Sequence, residues 1–448
     1  MKVSETGLPR ERSTVVTLKP GRERPLRAGR RWVYKTDVYT VSDSDYDPGD
    51  IVRVVDARGR FVAKGYINPR SMIFVRVLTE EADEPIDEEF FRRRLWRAWD
   101  YRRRVLGTDA DTDSCRVVFA EADLLPALIV DKFADILVVQ TLALGIDRWQ
   151  PVIVRLLDEL FAPRGIYERN DVPVRELEGL EQRTGYLKGP FDPRVEIREN
   201  GLPFLVDVAR GHKTGHFLDQ RENRAAIRPY VRGARVLDAF CHTGGFTCHA
   251  LAYGAREVVA VDINPDALAL ARENVERLRR ALADSSAVAA AGQATGGQAA
   301  PGEGAPGGMA APPPPSAAMR GDGRVSFHEA NAFDFLRAQA DAGEEYDVVI
   351  LDPPAFAKNK QALEGAYRGY KEINLRAMKM LPPGGILITC SCSYHMKPEL
   401  FEQMLADAAW DTGRRLRLIE RRGASRDHPA LFGADESQYL KCYILEVL

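Results

Sequence analysis

Polar residues follow two short apolar runs in the C-terminal half of the chain, and their types suit a nucleotide-like cofactor. The first set is the turn Asp238-Ala-Phe-Cys-His-Thr-Gly-Gly245. Glycines in a turn let the backbone approach a ligand closely, and the helix that follows presents free amides. Roughly 20 residues further on, Asp262 can accept hydrogen bonds from ribose hydroxyls. The candidate cofactor contacts here are Asp238, Phe240, Thr243, Gly244, Gly245 and Asp262.

Two further features follow later strands of the same pattern. Asn331-Ala-Phe333 offers a polar side chain and backbone amides that can read an adenine edge, and Asp352-Pro-Pro354 places a carboxylate on a proline-fixed backbone. Any one of these polar residues can be a simple cap or turn former. All four features in order on one α/β pattern favour a methyl-transfer site, with Asp352 beside the reacting centre. A nicotinamide enzyme is disfavoured because no G-x-G-x-x-G follows the first strand.

The segment Thr389-Cys-Ser-Cys-Ser393 places cysteines at the end of another predicted strand. A thiolate in the same crevice can act as a nucleophile. Cytosine C5 is a poor nucleophile, so its methylation requires prior addition to C6. A thiolate on C6 produces an enamine whose C5 attacks a sulfonium methyl, and loss of the C5 proton then releases the thiolate. The other reading of the segment is a pair of buried core cysteines.

The elements that would position these residues alternate between strand and helix. Strands are predicted at 235–240, 257–262, 324–327, 346–351 and 385–389, with helices at 246–253 and 265–280. Repeated β-α units with apolar strands predict an α/β fold with a doubly wound, mostly parallel sheet. Residues 282–320 interrupt the pattern, and their Ala/Gly/Pro/Ser composition predicts a disordered insertion.

The N-terminal half has a different organisation. Residues 1–16 are predicted to be a flexible leader, and 17–85 a small β-barrel with strands at 50–56, 61–66 and 73–78. Residues 86–195 read as a central α+β domain that opens with a helix over 86–106. The catalytic domain is then expected to span 196–448.

Composition limits the class of protein further. The net charge of the 448-residue chain is only −2, but residues 19–35 and 92–104 are rich in lysine and arginine. Such segments can dock phosphate backbones or form solvated faces. The six cysteines form no C-x-x-C pair, so we expect neither a disulfide framework nor a metal site. The chain shows no signal peptide and no membrane-length apolar run, which predicts a cytoplasmic protein without a membrane partner.

Over nearly its full length the chain resembles the large-subunit ribosomal RNA cytosine-C5 methyltransferases of bacteria. The resemblance is carried by the motifs Gly21-Arg-Glu-Arg24 with Trp32-Val33, Gly211-His-Lys-Thr-Gly-His-Phe-Leu-Asp-Gln-Arg221, Thr243-Gly-Gly-Phe246, Asp352-Pro-Pro354, Gly369-Tyr-Lys-Glu-Ile-Asn374, Ser391-Cys-Ser393 and Asp427-His-Pro429. It implies an N-terminal PUA barrel, a C-terminal Rossmann-like class I methyltransferase domain, S-adenosylmethionine as cofactor and ribosomal RNA as partner. It also implies that Cys392 is the nucleophile, that Cys390 packs, and that Gln220 and Arg221 contact the cofactor.

Some alternatives stay open at this point. Many related enzymes carry a second cysteine after the D-P-P-like motif to help release product, but here that position is Ala355. The base is then His395, His428 or solvent. A ribosomal methyltransferase acting on guanine nitrogen would not need Cys392, and a non-catalytic RNA-binding assembly factor would not need the acidic strand ends. The sequence does not decide between a monomer and a homodimer.

Overall fold

The computed structural model describes residues 8–107, 111–295, 321–357 and 359–448. The chain forms two compact units. The first unit comprises the chain up to Ile197 with Val206–Gln220 and Ala424–Tyr439, and the second unit comprises Arg198–Leu205, Arg221–Gly423 and Leu440–Leu448. Two segments that the sequence placed in the catalytic domain, 206–220 and 424–439, therefore belong to the first unit. The exact boundaries predicted between the leader, the barrel, the central domain and the catalytic domain stay predictions.

The N-terminal part of the first unit is a six-stranded sheet with the strand order β2-β6-β5-β4-β1-β3. Its elements are β1 (Glu11–Leu18), α1 (Glu23–Arg27), β2 (Trp32–Tyr34), β3 (Val38–Val41), β4 (Ile51–Val55), β5 (Phe61–Ile67) and β6 (Ile73–Thr79). The three strands predicted here are confirmed as β4, β5 and β6. The predicted leader over 1–16 is wrong for residues 11–16, which lie in β1 and pair with β4. The reason is the period-two burial of Thr14, Val16 and Leu18, which face the core; residues 1–7 lie outside the described residues.

The rest of the first unit is built on a five-stranded sheet with the order β11-β10-β9-β8-β7. Its elements are α2 (Glu88–Leu106), β7 (Cys115–Phe119), β8 (Leu128–Phe133), β9 (Ile136–Thr141), α3 (Leu144–Arg148), α4 (Gln150–Phe161), β10 (Gly165–Asn170), α5 (Val174–Leu177) and β11 (Arg183–Lys188). The carboxylate of Asp87 caps α2 by accepting a 2.9 Å hydrogen bond from the Phe90 amide. Helices packed on a mixed sheet confirm the α+β character predicted for this region.

Many arginines of the two basic segments are engaged within the first unit. Arg31 pairs with Glu80 at 2.7 Å and Arg30 with Asp37 at 2.6 Å. In α2, the fully buried Arg102 pairs with Asp123. Part of each segment therefore stabilises the fold, and RNA docking by the exposed members stays a prediction.

The second unit holds a seven-stranded sheet with the order β16-β15-β14-β17-β18-β20-β19. The residues of a two-stranded hairpin, β12 (Arg194–Glu199) and β13 (Leu202–Asp207), are divided between the two units. The other elements of the second unit are α6 (Arg221–Ala226), α7 (Arg228–Val231), β14 (Arg235–Ala239), α8 (Gly245–Ala252), β15 (Glu257–Asp262), α9 (Pro265–Thr295), β16 (Arg324–Glu329), α10 (Ala332–Asp341), β17 (Val348–Leu351), α11 (Leu363–Met380), β18 (Ile386–Ser391), α12 (Pro398–Thr412), β19 (Leu416–Arg422) and β20 (Lys441–Val447). β14 to β18 are parallel, and β20 is antiparallel to both of its neighbours. The predicted doubly wound, mostly parallel sheet is confirmed.

The strand order fixes where a ligand can bind. From β14 the chain runs outward to β15 and β16, then returns to place β17 on the other side of β14. The crevice at such a switch point, outside the carboxyl ends of the strands, is where open α/β sheets bind ligands. Buried side chains of β14, β17 and α11, among them Leu237, Leu351 and Met378, share one core beneath it. The crevice is thus bordered by the residues after β14 and β17.

The predicted disordered insertion over 282–320 is wrong for residues 282–295. These residues continue α9, which ends at Thr295. Alanine has the highest helix propensity, and the stretch Ala287-Val-Ala-Ala-Ala291 favours continued helix despite its low complexity. Residues 296–320 lie outside the described residues.

The described ranges of the chain contain neither a candidate membrane span nor a candidate metal cluster. No helix in them is long and apolar enough to cross a bilayer. The same ranges contain no group of three or more His, Cys, Asp or Glu side chains that could hold a metal ion.

Candidate active site

Asp238 lies at the centre of the switch-point crevice, near the end of β14. Its side chain is 0% exposed, and its Oδ2 accepts a 2.6 Å hydrogen bond from the Thr247 hydroxyl of α8. Its Oδ1 is buried and has no hydrogen-bond partner among the residues that the structure describes. An unsatisfied buried carboxylate oxygen is unfavourable by about 1–3 kcal/mol or more. The site therefore has an acceptor that a polar or cationic ligand can satisfy.

Three carboxylates meet near this point. Burial raises the pKa of Asp238 to about 7, the Thr247 hydroxyl opposes the rise, and the carboxylates of Asp352 and Asp262 add to it. Carboxylates whose charge raises the pKa of Asp238 must lie near it in a poorly solvated place. The structure thus brings together the acids predicted at the ends of β14, β15 and β17, and their charge favours a cation.

The turn after β14 has an unusual backbone. Phe240 and His242 adopt positive φ angles of 67° and 50°, and Gly244 has φ 80°. Non-glycine residues in this region are held against strain by their surroundings and often mark functional sites. A Cβ on Gly244 would also lie 3.2 Å from the Ala271 Cβ of α9. Gly244 therefore serves the turn conformation and its packing on α9, in addition to any contact with a ligand.

Asn274 of α9 holds this turn in place, and sequence reasoning missed it. Its side chain is fully buried, and Nδ2 donates to the Thr243 carbonyl at 3.0 Å. Its Oδ1 accepts from the Leu205 amide at 2.7 Å. An asparagine inside a helix carries no signal of its own in one sequence. Only the fold shows that it ties two backbone segments together.

Asp262 ends β15 and is half-buried. Its two oxygens accept the amides of His242 and Asn264 at 2.8 and 2.9 Å. Each carboxylate oxygen keeps a further lone pair for a ligand hydroxyl. The next residue, Ile263, is 66% exposed although it is a large apolar side chain. An exposed apolar residue beside a sugar-binding candidate offers a flat surface for a base, which the sequence analysis did not single out.

Asn331 lies after β16 and caps α10. Its Oδ1 accepts a 2.9 Å hydrogen bond from the Phe333 amide, so the cap explains the residue without a ligand. Phe333 instead joins an aromatic cluster, with ring centroids 6.5 Å from Phe240 and 5.5 Å from Phe356. Phe333 and Phe356 line a cavity of about 520 Å³ at the start of α11. Apolar walls of this kind suit the face of a base.

Cys392 follows β18 directly and is partly exposed, whereas Cys390 is fully buried in the strand. The Cys392 thiol lies 3.8 Å from the carbonyl of Pro353, the residue after Asp352. The structure therefore places the Cys392 thiol against the loop that begins at Asp352, and the catalytic roles of both residues stay predictions. Cys390 fits the packing role expected of it.

A hydroxyl network positions the segment around Cys392. Tyr370 of α11 is fully buried, and its hydroxyl lies 3.0 Å from Ser391 Oγ and 2.9 Å from Ser393 Oγ. The Ser393 hydroxyl also accepts the Ala357 amide at 3.1 Å. Both neighbours of Cys392 are thus fixed, and one of them is tied to the loop after Asp352. This supporting tyrosine was missed, although it lies inside the motif Gly369–Asn374.

The remaining predicted site residues are distributed over both units. Gln220 is buried at the end of the first unit's 206–220 segment, and Arg221 is buried at the start of α6 in the second unit. Their assignment as cofactor contacts stays a prediction from the resemblance. His428 belongs to the first unit, where burial lowers its pKa and its ring Nδ1 lies 3.1 Å from the Asp427 carboxylate, which accepts the hydrogen bond.

Two known protein-family models match parts of this chain. A PUA-like domain model matches residues 16–80, and an S-adenosylmethionine-dependent methyltransferase model matches residues 181–292. These matches confirm the predicted PUA-like barrel, the methyltransferase fold and the cofactor S-adenosylmethionine.

Curated relatives match almost the whole chain. Ribosomal RNA large subunit methyltransferase I of Shewanella denitrificans is 39% identical over 436 residues, which cover 96% of this chain and 99% of the relative. The protein of the same name from Cronobacter sakazakii is 37% identical over 437 residues, 97% of this chain and 100% of the relative. A solved S-adenosylmethionine-dependent methyltransferase from Streptococcus mutans has the same fold, with TM-score 0.73 at 17% identity over 96% of this chain and 99% of that one. The chain therefore belongs to the ribosomal RNA large subunit methyltransferase I family and is an S-adenosylmethionine-dependent methyltransferase.

Proposed function

We propose that this protein methylates carbon 5 of a cytosine in large-subunit ribosomal RNA, with Cys392 as the nucleophile. The observation that carries the proposal is the position of Cys392, whose thiol lies 3.8 Å from Pro353 O in the loop that Asp352 begins. A partly exposed cysteine at the switch-point crevice is not required for attack by a guanine nitrogen. It is required to make cytosine C5 nucleophilic. The names of the full-length relatives support ribosomal RNA of the large subunit as substrate.

The residues of the crevice suit S-adenosylmethionine. The methionine part of this cofactor is cationic, and it would satisfy the unpartnered Oδ1 of Asp238 among three carboxylates. Asp262 is placed for the ribose hydroxyls. Ile263 and Phe333 supply apolar surface for the adenine, and Asn331, which also caps α10, is the polar residue assigned to its edge.

The proposed reaction has the following steps. A base inside structured RNA must first be turned out to reach the crevice. Cys392 thiolate then adds to C6 of the cytosine, which places electron density on C5. When bound, S-adenosylmethionine would supply the electrophilic methyl group that this carbon takes, and its sulfonium would leave as a neutral thioether. Loss of the C5 proton to a base then allows the C6–S bond to break and returns the Cys392 thiolate.

Three candidates stay open for the base that removes the C5 proton: His395 and solvent in this part of the fold, and His428 in the first unit. Ala355 stands where related enzymes carry a second cysteine, so this position cannot serve. His395 is half-buried and follows Cys392 in the same loop. Solvent is the other candidate in this part of the fold.

The same proposal predicts how the RNA binds and where the protein is located. RNA would bind through phosphate contacts of the exposed arginines in segments 19–35 and 92–104, with a strong dependence on salt. A cytoplasmic location fits a ribosomal RNA substrate. Self-association into a homodimer is a separate question that sedimentation of the purified protein answers.

Trapping of the covalent adduct tests the proposal. Ribosomal RNA that contains 5-fluorocytidine blocks release because fluorine cannot leave C5 as a cation. With S-adenosylmethionine present, we expect a stable protein–RNA adduct on the peptide that carries Cys392. Cys392→Ala should give no adduct and no methyl transfer while it still binds the cofactor in calorimetry. The matched control, Cys390→Ala two residues earlier in β18, should still form the adduct. Full methyl transfer by Cys392→Ala, or methylated guanine as product, would contradict the proposal.

A further inference from the structure

A buried lysine lies beside the segment that carries Cys392. Lys441 begins β20, which pairs antiparallel with β18 so that Lys441 is opposite Ser391. Its side chain is only 6% exposed, and Nζ donates a 2.7 Å hydrogen bond to the Ser393 carbonyl. Lys441 therefore contacts the backbone on both sides of Cys392, by strand pairing before it and by a side-chain hydrogen bond after it.

The pKa of the Lys441 amine depends on the charge of Cys392. Burial lowers the pKa of the Lys441 amine to about 8, a negative charge on Cys392 raises it, and the positive charge of Lys397 lowers it. An interaction between two charges is mutual, so a lysine whose protonation responds to the thiolate must also stabilise that thiolate. A buried ammonium also interacts more strongly than an exposed one because little water screens it.

Other polar groups near the pair come from the start of α12, from α11, from the loop after β17 and from the loop of Cys392 itself. The Lys397 ammonium precedes α12 and lies 4.1 Å from the centre of the Tyr394 ring. Tyr370 of α11 interacts with Cys392 and keeps a neutral hydroxyl, because burial raises its pKa. The loop after β17 contributes the Pro353 carbonyl and, before it, Asp352. His395 lies in the same loop as Cys392. The buried cation at Lys441 is the group best placed to offset a negative sulfur.

We propose that Lys441 is a positioning residue that holds a positive charge beside Cys392 and so keeps the thiolate populated near neutral pH. When the thiol ionises, its proton passes to solvent or to a neutral Lys441 amine, and no other reactant is consumed. After the sulfur adds to the cytosine it is neutral, and release of the product restores the thiolate beside the ammonium. The inference rests on the proposed function for its catalytic meaning, but the charge pair itself exists without substrate.

The pH dependence of alkylation tests the pair without RNA. The rate at which iodoacetamide modifies Cys392 follows the thiolate fraction, and peptide mass spectrometry separates this site from the five buried cysteines. In the intact wild-type protein the midpoint of the rate profile should lie below about 8.5, the ordinary value of a free thiol. Lys441→Met keeps most of the side-chain volume without the charge, and should move the midpoint up by about one pH unit. Lys441→Arg keeps the charge and should restore most of the wild-type profile.

Lys397→Met is the matched control, since it removes a nearby but exposed cation. It should shift the midpoint by less than a third of the change in Lys441→Met. Calorimetric binding of S-adenosylmethionine shows that each variant is folded. A wild-type midpoint at or above about 8.5 overturns the inference even if the Lys441 variants do not fold. An unchanged profile in folded Lys441→Met overturns it as well.

The two proposals can fail separately. If Lys441→Met shifts the alkylation profile but Cys392→Ala still methylates RNA, the charge pair is real and the proposed function is wrong. If Cys392 is essential for methylation but its alkylation profile does not depend on Lys441, the proposed function stands and the role of Lys441 does not.

Discussion

The buried carboxylate of Asp238 predicts that cofactor affinity rises with pH around neutrality. Its pKa is about 7 in the free protein, so about one tenth of the carboxyl groups are ionised at pH 6 and about nine tenths at pH 8. A cationic cofactor favours the ionised form. Binding should therefore be about tenfold tighter at pH 8 than at pH 6, which corresponds to about 1.4 kcal/mol.

The free protein should show the opposite trend in stability. A carboxyl group whose pKa rises on folding contributes stability that is fully present below its ordinary value of 3.8 and is lost as pH rises through about 7. From pH 6 to pH 8 this one group should lower the free energy of unfolding by about 1.4 kcal/mol. Affinity and stability thus change in opposite directions over the same interval.

Titration calorimetry with S-adenosylmethionine at pH 6, 7 and 8 measures the effect, and buffers of different ionisation enthalpy report the proton released on binding. Asp238→Asn should bind more weakly at pH 8 and lose most of the pH dependence. Asp334→Asn is the control, because its carboxylate is on the exposed face of α10. Affinities within twofold at pH 6 and pH 8, or an unchanged pH dependence in Asp238→Asn, would refute the reasoning.

Three further substitutions probe the elements that position the site. Asn274→Ala should lower the free energy of unfolding, measured in urea, by about 2 kcal/mol because it leaves buried backbone groups unpaired. A loss below about 0.5 kcal/mol would show that the Asn274 side chain does not hold the turn. Gly244→Ala should be destabilising by about 1 kcal/mol more than Gly233→Ala, since both have positive φ but only the first would place a Cβ against α9. Equal losses in the two glycine variants would show that packing on α9 is unimportant. Tyr370→Phe should slow methyl transfer several-fold with little change in KM, because the Tyr370 hydroxyl fixes both serines that flank Cys392. The control Tyr367→Phe, on the same helix, should not slow it. Similar losses in both variants would indicate a general effect on α11.

The acidic strand ends could be predicted because they depend on local pattern. Asp238, Asp262 and Asp352 each follow a run of apolar residues, and parallel strands bring their carboxyl ends to one edge of the sheet. The order of the strands need not be known for this inference. Asn331 shows its limit, because a cap and a ligand contact have the same sequence pattern.

The groups that support the site could not be predicted, since they depend on pairings between distant parts of the chain. Lys441 reaches the Cys392 segment only because β20 inserts antiparallel beside β18. Asn274 faces the turn only because α9 packs against α8. A single sequence contains neither the register of a sheet nor the rotation of a helix. The differences at 11–16 and 282–295 have another cause, because strand and helix propensity decide the structure there although the first segment lies near the N-terminus and the second has low complexity.

The most direct test of the central claim is mass spectrometric mapping of methylated nucleosides in large-subunit ribosomal RNA. RNA from cells that lack this protein should contain an unmodified cytosine at one position. The purified protein with S-adenosylmethionine should convert that cytosine to 5-methylcytosine, and Cys392→Ala should leave it unmodified. A methyl group found instead on a guanine nitrogen, or 5-methylcytosine formed equally by Cys392→Ala, would contradict cytosine-C5 methylation through a covalent cysteine adduct.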